Sequence, residues 1–458
     1  MSASLSFNDL PEIAQSAIKQ ALSRGATDAE CTISEGQEFS ASVRMGEVET
    51  LKEAGSRGAG LRVLIGKRMG SSYTSDLTPE GIRQMVASAV DLAQLTTEDP
   101  HAGLPDPSEL GSIPGDLKLF SDEVAGLPAD RKIDAAKRAE AAALAFDPRI
   151  TNSEGGSFDS KIGGRVFANS RGFSGSHRST YCSVSAVPVA THNDGSGDKM
   201  ERDYWFTIAR DFSGLESPEL VGRTAAERVI RRLGATKVET QKVPIIFEPR
   251  VARTLLGNLF DAVQGMAIYR HASFLAGKLG QKIASDKITL IDDGTLPGLF
   301  GTQPFDDEGV PSRRTPVIEK GVLKNYMLNT YTARKLGMKT TGNASRGITG
   351  NAGIGHGNFF LEAGEKTQEQ IIAGVKNGFY VTELIGSGVN TVTGDYSRGA
   401  VGLWIRNGEL AFPVSEVTIA STLQEMLNDV AEIGSDLDFR GSVSAPTIMI
   451  GEMTVAGR

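Results

Sequence analysis

The chain has 458 residues, 40% hydrophobic and 23% charged, with a formal net charge of −8. That composition fits a soluble protein of two or three domains and lacks the basic field that holds nucleic acid directly. No apolar run approaches the roughly 20 residues of a membrane span. The opening "MSASLSFNDLPEIAQ" lacks the basic and then apolar segments of a secretory leader, so a cytoplasmic location is expected.

In chain order, the first expected helix has Pro11 near its start, a stripe of Ile13, Ala14, Ala17, Ile18 and Ala21, and Gly25 at its end. Alternating runs "AECTIS", "FSASVRMGEVETLKEA" and "GLRVLIGKRMGSSYTS" follow, the last turning at Gly66-Lys67. A second helix starts at Thr78-Pro79. The "GAG" at Gly58 to Gly60 is not a nucleotide loop, because a strand follows it rather than a helix. Residues 96–120 hold four prolines and no periodicity, which reads as a long connection over the surface. A helix over 129–146 leads into long strands with a turn at Asn169 to Gly172. Another helix runs from Ser217-Pro218 to Gly234. The two cysteines, Cys31 and Cys182, sit in alternating runs as small apolar fillers rather than in a disulfide framework.

From about Lys237 the character changes to short strands, dense glycine and explicit turns. Asn407-Gly408, between "GLWIR" and "GELAF", is a strong hairpin signal, and "PVIEKGVLKNYML" reads as a second hairpin. Helices are expected at 249–266, about 330–337, 367–377 and 422–432. The expected organisation is an α+β chain. It has an N-terminal domain of mainly antiparallel strands (1–95), a linker (96–120) and a strand-rich middle region packing with that domain (121–236). A C-terminal domain of curved antiparallel sheet with few helices completes it (237–458).

The helix "ARTLLGNLFDAVQGMAIYRH" carries a broad apolar stripe of Leu255, Leu256, Leu259, Ala262, Val263 and Met266. Such a buried helix suits the presentation of two imidazoles and a carboxylate to a metal ion. Its other positions are Gly257, Asn258, Asp261 and Gln264, and no histidine precedes His271, which suits the cationic end of a helix. Acids concentrate instead in "IDDG" (Asp292, Asp293) and "FDDEGVPSRR" (Asp306, Asp307, Glu308). These are either a cation or acid–base site, or strand-end turns whose carboxylates accept backbone N–H groups and pair with Arg313 or Arg314. His356 lies in "GIGHGNFF". The loop Val389 to Ala400 holds Asp395, Tyr396 and Arg398, either as a substrate or partner surface or as an Asp–Arg latch. HExxH, CxxC, GxSxG and Walker patterns are absent.

Three stretches carry a family resemblance: "TLIDDGTLPGLFGTQPFDDEGVPSRRTPVIEKGVLKNYMLNTYTARKLGMKTTGNA", "VTELIGSGVNTVTGDYSRGAVGLWIRNGELAFPVSEVTIA" and "APTIMIGEMTVAG". The chain resembles the TldD/PmbA family over nearly its whole length, a group once labelled modulators of DNA gyrase and now read as metallopeptidases. The TldD branch of that family carries HExxxH on a helix and a cysteine ligand near the C-terminus; the PmbA (TldE) branch lacks both. Laid on this chain, the motif falls on Gly257, Asn258 and Ala262, of which none can act as it requires. No cysteine follows Cys182. "YRHASF" and "VTGDYSRGA" also resemble the PmbA branch.

The resemblance implies a non-catalytic, pseudo-peptidase subunit with no metal or cofactor of its own. It would work as a heterodimer with a TldD-type zinc peptidase that supplies zinc, on small unfolded peptides such as precursors of ribosomally made peptide antibiotics. Two alternatives stand beside it. One is a homodimeric peptide-binding or regulatory protein acting alone. The other is an independent metallohydrolase using Asp292, Asp306, Glu308 and His356.

Overall fold

Helix α1 (Leu10–Ser23) starts at a proline in its first turn and buries Leu10, Ala14, Ala17, Ile18 and Ala21. The chain is described here from a computed structural model covering residues 6–193, 195 and 197–458. Two long antiparallel strands follow, β1 (Asp28–Arg44) and β2 (Glu47–Ile65), and then β3 (Arg68–Thr74). Their turns fall at Met45-Gly46, both with positive φ, and at Gly66-Lys67. Helix α2 (Pro79–Leu95) begins at Thr78, whose hydroxyl accepts the Gly81 N–H. Next come a single turn α3 (Asp122–Ala125), helix α4 (Ala129–Leu144), β4 (Ile150–Asn169), β5 (Ser174–Asn193), β6 (Asp198–Arg202), β7 (Trp205–Ala209) and helix α5 (Pro218–Ile230).

One sheet takes in all seven strands, in the order β3-β2-β1-β4-β5-β6 with β7 also on β5. The central pairing is β1 with β4, from Glu30 opposite Asn169 to Val43 opposite Gly156. Segments 1–95 and 121–236 therefore share one sheet. Side-chain alternation divides its two faces. Odd residues of β1 enter the helix-covered cores, Cys31 and Ile33 with α1 and α2, Phe39, Ala41 and Val43 with α4 and α5. Even residues face the other way, where Glu30 and Thr32 are buried against Arg346 from the C-terminal part. Gly60 lies on that second face, and a Cβ there would stand 1.6 Å from the Ile348 carbonyl, so the close approach of the two parts requires glycine. Both cysteines are buried in strands, and burial pushes each thiol up to about 12.

Residues 96–120 differ from a surface connection. Apart from one 3-10 turn the segment is irregular, yet it is strapped to the C-terminal part. Gly111 N–H donates to Gly309, Ile113 N–H to Pro304, and the Leu117 carbonyl accepts Gly298 N–H. Arg334 donates to the carbonyls of His101 and Leu104. The strap satisfies its backbone by borrowing partners from another element, which proline content alone does not reveal.

The C-terminal part opens with β8 (Gln241–Phe247), helix α6 (Pro249–Val263) and α7 (Gly265–Tyr269). Then follow β9 (Leu290–Asp293), β10 (Arg314–Glu319), β11 (Val322–Leu323), helix α8 (Thr330–Leu336), and the short strands β12 (Ala344–Ser345), β13 (Gly353–Ile354) and β14 (Asn358–Leu361). Helix α9 (Gln368–Ala373), β15 (Asn377–Ile385), β16 (Asp395–Arg406), β17 (Glu409–Thr422) and helix α10 (Leu423–Asn428) come next, before β18 (Val430–Ile433), β19 (Val443–Ser444) and β20 (Ile448–Ala456). One sheet runs β17-β16-β15-β8-β20-β18, and a further β17–β20 pairing closes five of its strands into a ring. All its pairs are antiparallel except β8 with β15. A second sheet runs β11-β10-β9-β14-β19. The expected hairpins turn at Asn407-Gly408 and Lys320-Gly321, all four residues with positive φ. The fold class is α+β with mainly antiparallel strands, as expected.

Helix ends differ from the expectation by several residues. Helix α4 stops at Leu144, α9 at Ala373 and α10 at Asn428, where the chain enters β18. The helix expected over 249–266 breaks at Gln264, whose φ −63° and ψ 132° are extended. There Gly265 N–H donates to Met327 and Met327 N–H to Val263, and a Cβ on Gly265 would sit 2.5 Å from Leu328. Tertiary hydrogen bonding replaces helical bonding at that point.

Candidate functional site

Helix α6 has two faces with different fates. Its stripe of Leu255, Leu256, Leu259, Ala262 and Val263 belongs to the C-terminal core with Phe247, Phe359 and Phe379. Burying the leucine and valine side chains stabilises the fold by about 1.5–3 kcal/mol each. The opposite face carries Arg250, Arg253, Thr254, Gly257, Asn258 and Asp261, which recur at helical spacing within one arc. At Gly257 a Cβ would meet nothing within 4 Å, so this face is open there. Asn258 is half-buried, with an Nδ2 that has no hydrogen-bond partner. Ala262 is fully buried, with its carbonyl accepting the Ser273 hydroxyl at 2.6 Å. Of the three motif positions, one opens onto space, one is at the edge and one is closed by the core. None carries a metal ligand. Among the described residues no group of three or more His, Cys, Asp or Glu side chains is arranged to hold a metal ion. The donor set present does not fit a tetrahedral zinc site.

The first turns of α6 form the floor of a cleft of 540 Å³ between the two parts of the molecule. Arg202, Asp203 and Tyr204 line it from the end of β6, Thr382 to Leu384 from β15, and Arg398 from β16. Buried Asp203 lies 3.4 Å from Arg228 and 3.7 Å from both Arg232 and Arg250. Arg232 bridges to Glu383 at 2.6 Å and Arg202 to Glu154 at 2.7 Å. Arg250 lies over the Tyr204 ring, 4.0 Å from its centroid, and donates to the Tyr204 carbonyl. A smaller pocket of 250 Å³ adjoins it and shares Arg250 and Arg253.

The acidic turns are placed elsewhere and are saturated by the backbone. Asp306 accepts N–H groups from Glu308, Val310 and Ala344, each at 2.9 Å. Glu308 accepts Thr330 N–H at the start of α8. Asp292 accepts Gly357 N–H at 2.7 Å and the Asn343 amide at 2.8 Å. Burial pushes Asp292 up to about 7, and burial together with the Glu308 charge pushes Asp306 up to about 8. The turn reading of these acids holds, with one correction. The arginine partner is Arg165, 2.8 Å from Asp307, whereas Arg314 pairs with Glu362. Sequence distance misled here, because β4 carries Arg165 to these turns across the interface between the two parts.

His356 donates its Nδ1–H to the carbonyl of its own neighbour Gly357 at 2.9 Å, and packs against Phe260 and Phe359. Burial lowers its pKa. With Asp292 and Asp307 it lines a pocket of 80 Å³. Asp306 and Glu308 do not line it, so the structure does not gather Asp292, Asp306, Glu308 and His356 into one site.

The loop residues also separate. Asp395 to Arg398 start strand β16 rather than lying in a loop. Tyr396 is 1% exposed and belongs to the core, so it is no contact surface. Asp395 accepts the Thr393 hydroxyl at 2.6 Å and forms no ion pair with Arg398, which corrects the latch reading. Only Arg398 reaches the cleft. Sequence reasoning missed the other cleft arginines. The available signal was the pair Arg250 and Arg253, three residues apart on the polar side of an otherwise apolar helix.

Family models match the chain in three pieces: PmbA/TldA metallopeptidase domain 1 over residues 29–93, the central domain over 122–233 and the C-terminal domain over 240–457. The metalloprotease PmbA of Escherichia coli O157:H7 is 41% identical over 438 residues, 95% of this chain and 94% of that protein. A metalloprotease TldD homolog of Haemophilus influenzae is 24% identical, over 88% of this chain and 87% of that one. The crystal structure of a proposed modulator of DNA gyrase from Bacteroides thetaiotaomicron superposes with a TM-score of 0.90 at 31% identity, covering 98% of each chain. This chain belongs to the PmbA/TldD metallopeptidase family.

Proposed function

We propose that this chain is the non-catalytic subunit of a two-component metalloprotease that cleaves small unfolded peptides, with zinc supplied by a TldD-type partner. One observation carries the reading. Helix α6 keeps its packing stripe, but the positions that hold the TldD-type motif are Gly257, Asn258 and Ala262. A glycine and an alanine offer no ligand atom, and a neutral amide is no general base for activating water. The higher identity to a PmbA than to a TldD-named relative supports the same branch.

What this chain contributes is a wall. The open face of α6 and the cleft at its start give a groove that admits an extended peptide, with backbone groups of β15 and β16 nearby. The chemistry of bond cleavage belongs to the partner. Cleavage of an unfolded peptide should need both proteins and should stop with a chelator. The assay compares this chain alone, the TldD-type homologue alone and their mixture. Chelator-sensitive cleavage by this chain alone would defeat the proposal.

Installing the motif should not convert the chain into a peptidase. Gly257→His points to open space and Asn258→Glu sits at the half-buried edge, but Ala262→His forces a ring into a closed core at a cost of about 1–3 kcal/mol. The triple variant should therefore be less stable and still inactive alone.

A further inference from the structure

The cleft at the start of α6 carries an excess of positive charge on a protein whose net charge is −8. Five arginines line it, Arg202, Arg232, Arg250, Arg253 and Arg398, against three carboxylates, Glu154, Asp203 and Glu383. The carboxylates are all engaged. Glu154 pairs with Arg202, Glu383 with Arg232, and Asp203 with Arg228, Arg232 and Arg250. That leaves two cations. Among the described residues Arg253 makes no ion pair or hydrogen bond, and Arg398 makes only a long one, 3.4 Å from Nε to the Ile385 carbonyl. Both are half-buried. A guanidinium drawn partly out of water with no anion beside it is a recognition group for an oxyanion, which it binds through two parallel N–H donors.

We propose that Arg253 and Arg398 select peptides carrying a carboxylate, by holding an acidic side chain in this cleft. The inference rests on the reading of the cleft as a peptide groove, and it adds the class of peptide. Arg253 precedes Gly257 by one helical turn, about 6 Å along the axis. An extended peptide advances about 3.3 Å per residue. A carboxylate held at Arg253 therefore fixes the register of the chain, with the residue about two positions away lying over the open face at Gly257. Val187, Val251 and Leu384 supply apolar walls beside the charged groups, as a peptide site requires.

The test is fluorescence anisotropy with the full-length protein and a labelled, unstructured peptide containing two glutamates. A twin has glutamine in their place, and both carry an amidated C-terminus so that only side-chain carboxylates differ. The acidic peptide should bind about tenfold more tightly than its twin. R253Q/R398Q should erase that difference, while R83Q, on the exposed pair with Glu80 on α2, which packs on β3 at the opposite edge of the sheet from β6, should keep it. Equal binding of the two peptides to the unaltered protein overturns the proposal and needs no variant. So does a preference that survives in a folded R253Q/R398Q protein. Inorganic phosphate tests the other source of oxyanions. Competition no stronger than that of acetate at equal ionic strength supports a carboxylate site, and displacement at far lower concentration overturns it. Cleavage by the mixed complex separates this inference from the one beneath it. A mixture that cleaves both peptides equally, with equal binding, sinks the selectivity alone; a mixture that cleaves neither sinks the subunit reading.

Discussion

The acidic turns at Asp292 to Glu308 and the arginine cleft at the start of α6 are both dense in charge, and they do opposite things with it. In the turns most carboxylate oxygens have an N–H donor: Asp306 alone ties residues 308, 310 and 344 together. In the cleft, guanidinium groups outnumber carboxylates and Arg253 and Arg398 have no anion. Charge density therefore says little about where a protein binds something. Unfilled hydrogen-bonding capacity at an accessible surface says more, because a buried group with its partners in place has nothing to offer a ligand.

The sharpest way to break this contrast is to remove a saturated acid. Asp306→Ala strips the acceptor from three buried N–H groups, each of which costs about 1–3 kcal/mol when orphaned. It should be the most destabilising of these changes, with a large drop in melting temperature and poor expression. Glu308→Gln keeps an oxygen for Thr330 and should cost less, about 1–2 kcal/mol. Its effect on peptide cleavage by the mixed complex should track stability. A Glu308→Gln protein that melts normally but leaves the complex inactive would make that acid a functional group.

The reverse pattern is expected in the cleft. Arg398→Ala should weaken cleavage by the mixed complex about tenfold while leaving the melting temperature within a degree or two, since the side chain has little holding it. Circular dichroism melts beside the cleavage assay separate the two quantities.

A smaller effect follows from titration of the turns. Asp292 and Asp306 have folded pKa values of about 7 and about 8, above the ordinary 3.8. From about pH 3.8 to about pH 8 the folded state then binds more protons than the unfolded state, so this contribution is lost progressively across that whole span. His177 works the other way. Burial, followed by the Arg165 and Arg210 charges, lowers it from 6.5 to about 4, so its own contribution rises with pH up to about 6.5. The two carboxyls outweigh the one imidazole, so together they predict a melting temperature that falls from about pH 4 towards pH 8, most steeply between about pH 6.5 and 7. Asp306→Asn should lose much of that decline, at a lower overall stability. A melting temperature that climbs from pH 6.5 to 8 would contradict the protonated state of these acids.

The smallest effect should come from Arg202→Ala measured as stability. Its side chain is 69% exposed and that of Glu154 is 47% exposed, so the pair contributes no more than about 0.5 kcal/mol.

Much of the fold was legible in the sequence, and the reasons are local. Asn407-Gly408 and Lys320-Gly321 turn where their residue types demand positive φ. The stripe on α6 and the proline starts of α1, α2 and α5 also survive in the structure. What the sequence hid depends on contacts between distant segments. The break at Gln264 is made by Met327 and Leu328, and the strap over 96–120 draws its order from residues 298–334. The site was half legible. The vacant motif positions stood out on the helix, and Arg398 was named. The rest of the cleft is assembled from β4, β5, β6, the turn after α5, α6 and β15, and no periodicity predicts that meeting. Tyr396 was misread for the same reason: flanking glycines suggested a loop, while pairing with Ser421 on β17 makes it a strand residue turned inward.

A helix without ligands should make this chain a partner rather than a peptidase. The most direct test is cleavage of a single unfolded peptide by the purified chain, by the TldD-type homologue and by an equimolar mixture, each with and without a chelator. Cleavage should appear only in the mixture and should be abolished by the chelator. Sustained chelator-sensitive turnover by this chain alone, undiminished by removal of every trace of the homologue, would contradict the partner role.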